Sequence, residues 1–223
     1  MLDFGFYNMD CVEGMKQFPD HYFDLAIVDP PYGGVTKGGY MSNPHTCDKL
    51  AKAKEYHLSL WDCGKPPQEY FDELKRVSKN QIIWGGNYFQ TLINSDSQCW
   101  IVWDKQNGDN HFADCELAWT SFDLASRLFQ FRWAGMLQGN MKNKETRIHP
   151  TQKPVALYEW LLGKFAKDGD TILDTHVGSA SSLVACHRTN HKFVGFELDE
   201  TYYKIAKERL DDEMAQFNIF NYL

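Results

Sequence analysis

Short apolar runs alternate along this chain with segments whose apolar positions recur every three or four residues. Phe23–Val28 (FDLAIV), entered from Asp20 and ended by Pro30, has the form of a buried strand followed by a stop. Residues 11–18 before it have the spacing of a short amphipathic helix. QIIW at 81–84 predicts a second strand, followed by GGNYF and a helix through Ile93. Residues 99–104, Cys115–Thr120 and 127–133 predict three further strands with short polar connections. Residues 154–165 then read as a helix with proline in its first turn, where a missing N–H costs nothing. Thr171–Asp174 is a strand, 179–187 a helix, 192–196 a strand and 199–214 a long charged helix. This alternation predicts an α/β fold, a mostly parallel sheet with helices on both faces. The interval 33–80 is polar, contains GGVTKGGYMSNPH and lacks a strand rhythm, so it reads as an insertion that is expected to be mobile without ligand. No internal repeat is evident.

Length limits the organisation further. At 223 residues with 43% hydrophobic positions, 1–223 is expected to form a single domain. No uncharged stretch approaches the roughly 18 residues of a membrane span, so a soluble, cytoplasmic protein is expected. Six cysteines are scattered without a C-x-x-C pair, which predicts reduced thiols in place of a disulfide framework or zinc ribbon. His45, Cys47, His57 and Cys63 match no familiar ligand spacing, and no metal is expected. The net charge of −7 argues against a surface that grips nucleic acid all round. It is uneven, however: 141–153 holds Lys142, Lys144, Arg147 and Lys153 against Glu145 alone, whereas 197–213 holds seven acids and three bases. A local basic face and two solvated runs are both compatible with that pattern.

Asp29-Pro30-Pro31-Tyr32 closes the first strong strand, at the end where open α/β sheets place ligand crevices. Two prolines stiffen the backbone there. An exocyclic amine on a base is a poor nucleophile, because its lone pair is delocalised into the ring. Acceptors that bind its hydrogens make the nitrogen more tetrahedral and aim the lone pair at an electrophile. The Asp29 side chain and the Pro30 carbonyl are candidates for that pair, and Tyr32 for stacking on a base drawn out of a duplex. A second constellation, TILDTHVGSASS from Thr171 to Ser182, is a strand, a glycine turn and a helix start, which lets backbone N–H groups approach a cofactor. Glu197 ends the next strand, where an acid holds ribose hydroxyls; a nicotinamide cofactor fits this generic pattern too. The third, His149-Pro150-Thr151-Gln152-Lys153-Pro154, sets a hydroxyl and an ammonium at a helix start, which suits a carboxylate or simply caps the helix.

The three blocks, in this order, resemble the amino-group DNA methyltransferases of the permuted arrangement usually called the beta class, from about Phe6 to Leu210. The resemblance implies a Rossmann-like S-adenosylmethionine-dependent methyltransferase fold with circularly permuted motif order. It implies methyl transfer from S-adenosylmethionine to adenine N6 in double-stranded DNA after base flipping, Asp29 favouring adenine over cytosine N4. By the same resemblance Asp29, Pro30, Pro31 and Tyr32 are catalytic, and Thr151 and Lys153 meet the cofactor's methionine carboxylate. Asp174, His176, Gly178 and Ser179 line the cofactor turn, Glu197 takes the ribose, Asp10 receives the cofactor's adenine amino group, and Cys11 and Leu198 also belong to the cofactor site. Trp103-Asp104-Lys105 resembles another family block, of structural or base-pocket role. A homodimer spanning a short palindrome fits a chain of this size. One departure stands out: the family usually reads DPFxGSGTT, and this chain has DTHVGSASS. Ala180 therefore occupies a glycine position where a left-handed backbone would be strained, and His176, in place of Phe, either packs over the cofactor or faces solvent. An enzyme acting on RNA or a protein amide, and a degenerate methyltransferase-like binding protein, are the competing readings.

Overall fold

The computed structural model describes residues 1–33, 64–108, 113–134 and 137–220. Ten strands and six α-helices are present among them: β1 Gly5–Asn8, α1 Cys11–Met15, β2 Phe23–Val28, α2 Gln68–Val77, β3 Ser78–Trp84, α3 Gln90–Ile93, β4 Ile101–Asp104, β5 Cys115–Thr120, β6 Arg127–Gln130, β7 Trp133–Ala134, β8 Leu137–Gln138, α4 Val155–Phe165, β9 Thr171–Asp174, α5 Ser181–Arg188, β10 Lys192–Glu197 and α6 Glu200–Phe220. A short 3₁₀ turn, Gly86–Tyr88, follows β3. Eight strands form one sheet in the order β1-β10-β9-β2-β3-β5-β4-β6, while β7 and β8 make a separate hairpin. Every pairing from β1 to β3 is parallel. β5 runs antiparallel to both neighbours, and β4 and β6 are parallel to each other.

The apolar run of β2 is explained by burial on both faces, since successive side chains point to opposite sides of a sheet. Leu25 and Ile27 enter one core layer with α4, α5 and α6, including Leu161, Leu183 and Leu210. Ala26 and Val28 enter the other with Met15 of α1, Phe71 and Leu74 of α2 and Ile93 of α3. This is the expected α/β arrangement, with helices on both faces.

Several elements depart from the sequence expectation. β1 was not anticipated, because GFYN is too short to stand out. The interval 33–80 is not wholly an insertion: its last part is α2 and the start of β3, with Tyr70, Phe71, Leu74 and Val77 buried along one helical face. Residues 34–63, which carry His45, Cys47, His57 and Cys63, lie outside the described residues. The 127–133 strand is broken into β6 and β7, and Pro154 caps α4 from outside, with extended backbone (φ −70°, ψ 145°). No helix among the described residues is long and apolar enough to cross a membrane.

Candidate functional site

The chain steps from β9 to β10 in one direction across the sheet and from β2 to β3 in the opposite direction, with β1 beyond β10 at the edge. The order therefore reverses between β9 and β2, the point where the crevice of an open parallel sheet lies. Four acids cluster around the carboxyl ends of these strands: Asp10 after β1, Glu197 at the end of β10, Asp174 at the end of β9 and Asp29 after β2. A cleft of about 300 Å³ opens there. It brings together Asp10, Cys11, Asp29, Pro31, Thr151, Lys153, His176, Gly178, Ser179, Glu197 and Leu198. Pro30, Tyr32 and Asp174 are not among the residues that line it.

At the β2 end, both oxygens of Asp29 are engaged. Oδ1 accepts the Tyr32 hydroxyl at 2.7 Å and Oδ2 accepts Lys153 Nζ at 2.5 Å. The Tyr32 ring is stacked on Tyr88 with centroids 5.0 Å apart and meets the Phe89 ring edge-on. Gly85 lies against it in the left-handed region. Burial, with Asp29 adjacent, pushes the Tyr32 phenol well above its ordinary pKa. Lys153 is 4% exposed. Its ammonium sits between Asp29 and Glu116 Oε2, the latter at 3.0 Å, over the Trp84 ring. Burial pulls its pKa down, but the two carboxylates outweigh burial and leave it raised. Lys153 is thus held between two carboxylates, those of Asp29 and Glu116. Thr151 does not join it; its hydroxyl lies 3.0 Å from His149 Nδ1.

Sequence reasoning missed Glu116, a single acid on β5 whose signal was hidden in an ordinary strand. It forms ion pairs with Lys105 as well as Lys153, and although burial pushes its pKa upward, those cations bring it to about 2. Lys105 belongs to the Trp103-Asp104-Lys105 block, which is packed into the sheet. Trp103 is buried, its Nε1 donates to the Phe131 carbonyl at 3.1 Å, and Lys105 stands over its ring.

The glycine turn is built from Asp174, which accepts His176 N–H at 3.0 Å and the Ser182 hydroxyl. Burial lifts its carboxyl to about 7. Asp174 therefore shapes the turn from beneath and does not face the cleft. Gly178 (φ 57°) donates its N–H to Glu197 Oε2 at 2.8 Å, and Asp199 N–H reaches Glu197 Oε1 at 2.9 Å. Ala180 does adopt the left-handed conformation, φ 61° and ψ 19°. His176 is half-buried on the cleft wall. It meets Tyr70 edge-on, and its Nδ1 lies 2.9 Å from the Thr175 hydroxyl, which in turn lies 2.7 Å from Tyr70 OH. Burial lowers its pKa to about 4, so the ring is neutral. Tyr70, absent from the sequence reading, and Thr175, read there only as part of the DTHVGSASS departure, also line the cleft. At the β1 end, Asp10 caps α1 by accepting Val12 and Glu13 N–H groups at 2.9 and 3.0 Å. Burial raises the neighbouring Cys11 thiol to about 12, which keeps it protonated. No cluster of metal-ligating side chains occurs among the described residues.

Known proteins match this frame. A family model described as DNA methylase matches residues 47–208. The chain is 41% identical over 245 aligned positions to the type II methyltransferase M.HpaI of Haemophilus parainfluenzae, covering 94% of this chain and 74% of that protein. It is 40% identical over 242 positions to the type II methyltransferase M2.DpnII of Streptococcus pneumoniae, covering 92% and 89%. Among solved structures, a DNA modification methylase of Thermus thermophilus complexed with S-adenosyl-L-methionine superposes with a TM-score of 0.59 at 18% identity over 95% of each chain.

Proposed function

The chain belongs to the DNA methylase family, and from that premise we propose that it methylates the N6 amino group of adenine in double-stranded DNA with S-adenosylmethionine as donor. The observation that carries this reading is the Asp29 carboxylate, held from opposite sides by Tyr32 and Lys153 on the rim of the cleft. Aspartate in the first position of the DPPY block supports adenine over cytosine N4.

The cleft's donor set fits the cofactor. Glu197 and Asp10 each accept backbone N–H groups and, as carboxylates with four lone-pair sites, retain capacity for ribose hydroxyls and an adenine amine. Bound there, S-adenosylmethionine supplies a methyl carbon on a positively charged sulfur that leaves as a neutral thioether. Asp29 Oδ1 exchanges the Tyr32 hydroxyl for an N–H of the target amine, and the Pro30 carbonyl accepts the other. Lys153 keeps Oδ2 fixed during that exchange. As the nitrogen gains its new bond to carbon it sheds one proton, which the Asp29 carboxylate takes and passes to solvent. Tyr32, freed from Asp29, gives the adenine an aromatic face.

The test is transfer of labelled methyl groups to duplex DNA. Wild-type protein is expected to label adenine, and Asp29→Ala to lower the rate by roughly 10²-fold or more, the scale of a lost positioned acid–base group. Undiminished labelling by Asp29→Ala would overturn the mechanism; label only in RNA or only in cytosine would overturn the substrate.

A further inference from the structure

A row of alternating charges runs from Asp29 into the body of the sheet. Lys153 Nζ lies 2.5 Å from Asp29 Oδ2 and 3.0 Å from Glu116 Oε2, and the other Glu116 oxygen is bonded by Lys105. The four side chains come from separate places: Asp29 after β2, Lys153 before α4, Glu116 in β5 and Lys105 after β4. The lysine side chain is only 3% exposed, so the two carboxylates are its main partners. A lysine ammonium ends a flexible four-carbon stem and has no preferred direction of its own. A single carboxylate would leave it free to swing; a second on the far side fixes where it points. Glu116 is itself fixed by Lys105, whose ammonium is 5.3 Å from the centroid of the Trp103 ring.

We propose that Glu116, anchored by Lys105, is a positioning residue for methyl transfer: it holds the Lys153 ammonium against Asp29, so that the carboxylate faces the target amine in one orientation. This rests on the methyltransferase reading. It gives the Trp103-Asp104-Lys105 block a purpose, since that block ends on the last charge of the row. It also separates two roles for Lys153. A lysine that clamps the cofactor would, when loosened, weaken cofactor binding. A lysine that orients Asp29 would, when loosened, slow the chemical step and leave binding alone.

Steady-state kinetics on duplex DNA with varied S-adenosylmethionine distinguish these. Glu116→Gln keeps the shape and removes the charge; its kcat is expected to fall tenfold or more with KM for the cofactor within twofold of wild type. Glu116→Asp is expected to recover part of the loss. Because Glu116 acts through Lys153, adding Glu116→Gln to Lys153→Met is expected to cost nothing further. Unchanged kcat in Glu116→Gln, a rise in KM with kcat retained, or simple multiplication of the two effects would each overturn the proposal. Should Glu116→Gln fail to fold by circular dichroism, Lys105→Gln, at the far end of the row, takes its place in the same kcat against KM comparison, and the same outcomes support or overturn the proposal. Wild-type protein that labels no DNA would instead remove the functional reading, and this proposal with it.

Discussion

Gly85 has φ of 67°, and a Cβ built on it would fall inside the Tyr32 ring. Alanine there would carry the left-handed penalty of roughly 1–2 kcal/mol and would push Tyr32 off both the Tyr88 stack and Asp29. Gly85→Ala is therefore expected to fold with a modest loss of stability, to bind cofactor as wild type does, and to lose at least tenfold in methyl incorporation. Calorimetry with S-adenosylmethionine beside a labelling assay checks it; wild-type turnover would mean that the Tyr32 position is not used. The sequence shows Gly85-Gly86 after a strand, hence a turn, but the partner ring lies far away in the chain and no local pattern announces it. The same limit hid Glu116. Asp29, by contrast, was legible because Pro30, Pro31 and Tyr32 follow it directly. Lys153 was legible from its motif, but its ion pairs with Asp29 and Glu116 were not, since a motif names a residue type and not the direction in which its side chain turns.

At the scale of elements, β2, β9 and β10 could be read because burial on both faces turns a parallel strand into an apolar run. The four-residue β1 lacks such a run. The helix α2 has its apolar residues on one stripe, yet it was absorbed into the polar stretch that precedes it. Its end and the start of β3 adjoin directly, Val77 to Ser78, leaving no loop to mark the boundary. The glycine-turn departure was legible down to its strain: Ala180 precedes α5 with φ of 61° and is fully buried. Replacing it with glycine relieves roughly 1–2 kcal/mol of left-handed strain. The lost methyl burial, about 0.8 kcal/mol, and the greater chain entropy of glycine, about 0.4–1 kcal/mol, oppose that gain. Ala180→Gly is thus expected to change unfolding free energy by less than about 1 kcal/mol. Ala180→Val, branched at Cβ in a left-handed and closed site, is expected to cost more than about 2 kcal/mol. Urea denaturation measures both, and a large gain from glycine would show that the turn is more strained than this balance allows.

Across the whole molecule, the ligand end of the sheet concentrates buried titratable groups whose pH effects oppose one another. His149 and His176 have folded pKa values of about 4 against an ordinary 6.5, in both cases chiefly through burial. As pH falls from about 6.5 to about 4 the unfolded chain takes up protons that the folded histidines refuse, so stability falls. Asp174 has the opposite sign: its folded value of about 7 lies above the ordinary 3.8. Between pH 7 and 4 the folded protein binds the extra proton, so acidification stabilises it there. The two contributions partly cancel, and the wild-type stability curve alone would not separate them. His176→Phe does, because it removes one histidine, restores the aromatic that the family usually carries at this position and leaves Asp174 in place. Relative to wild type, the variant is expected to gain stability steadily as pH drops from 6.5 to 4, by at most about 1.4 kcal/mol per pH unit, with no relative change above pH 7. Parallel denaturation curves at several pH values measure that difference. A difference that is flat across the window would mean the ring of His176 accepts a proton in the folded state as readily as in water, and that the cleft around it is more open to solvent than its packing against Tyr70 implies.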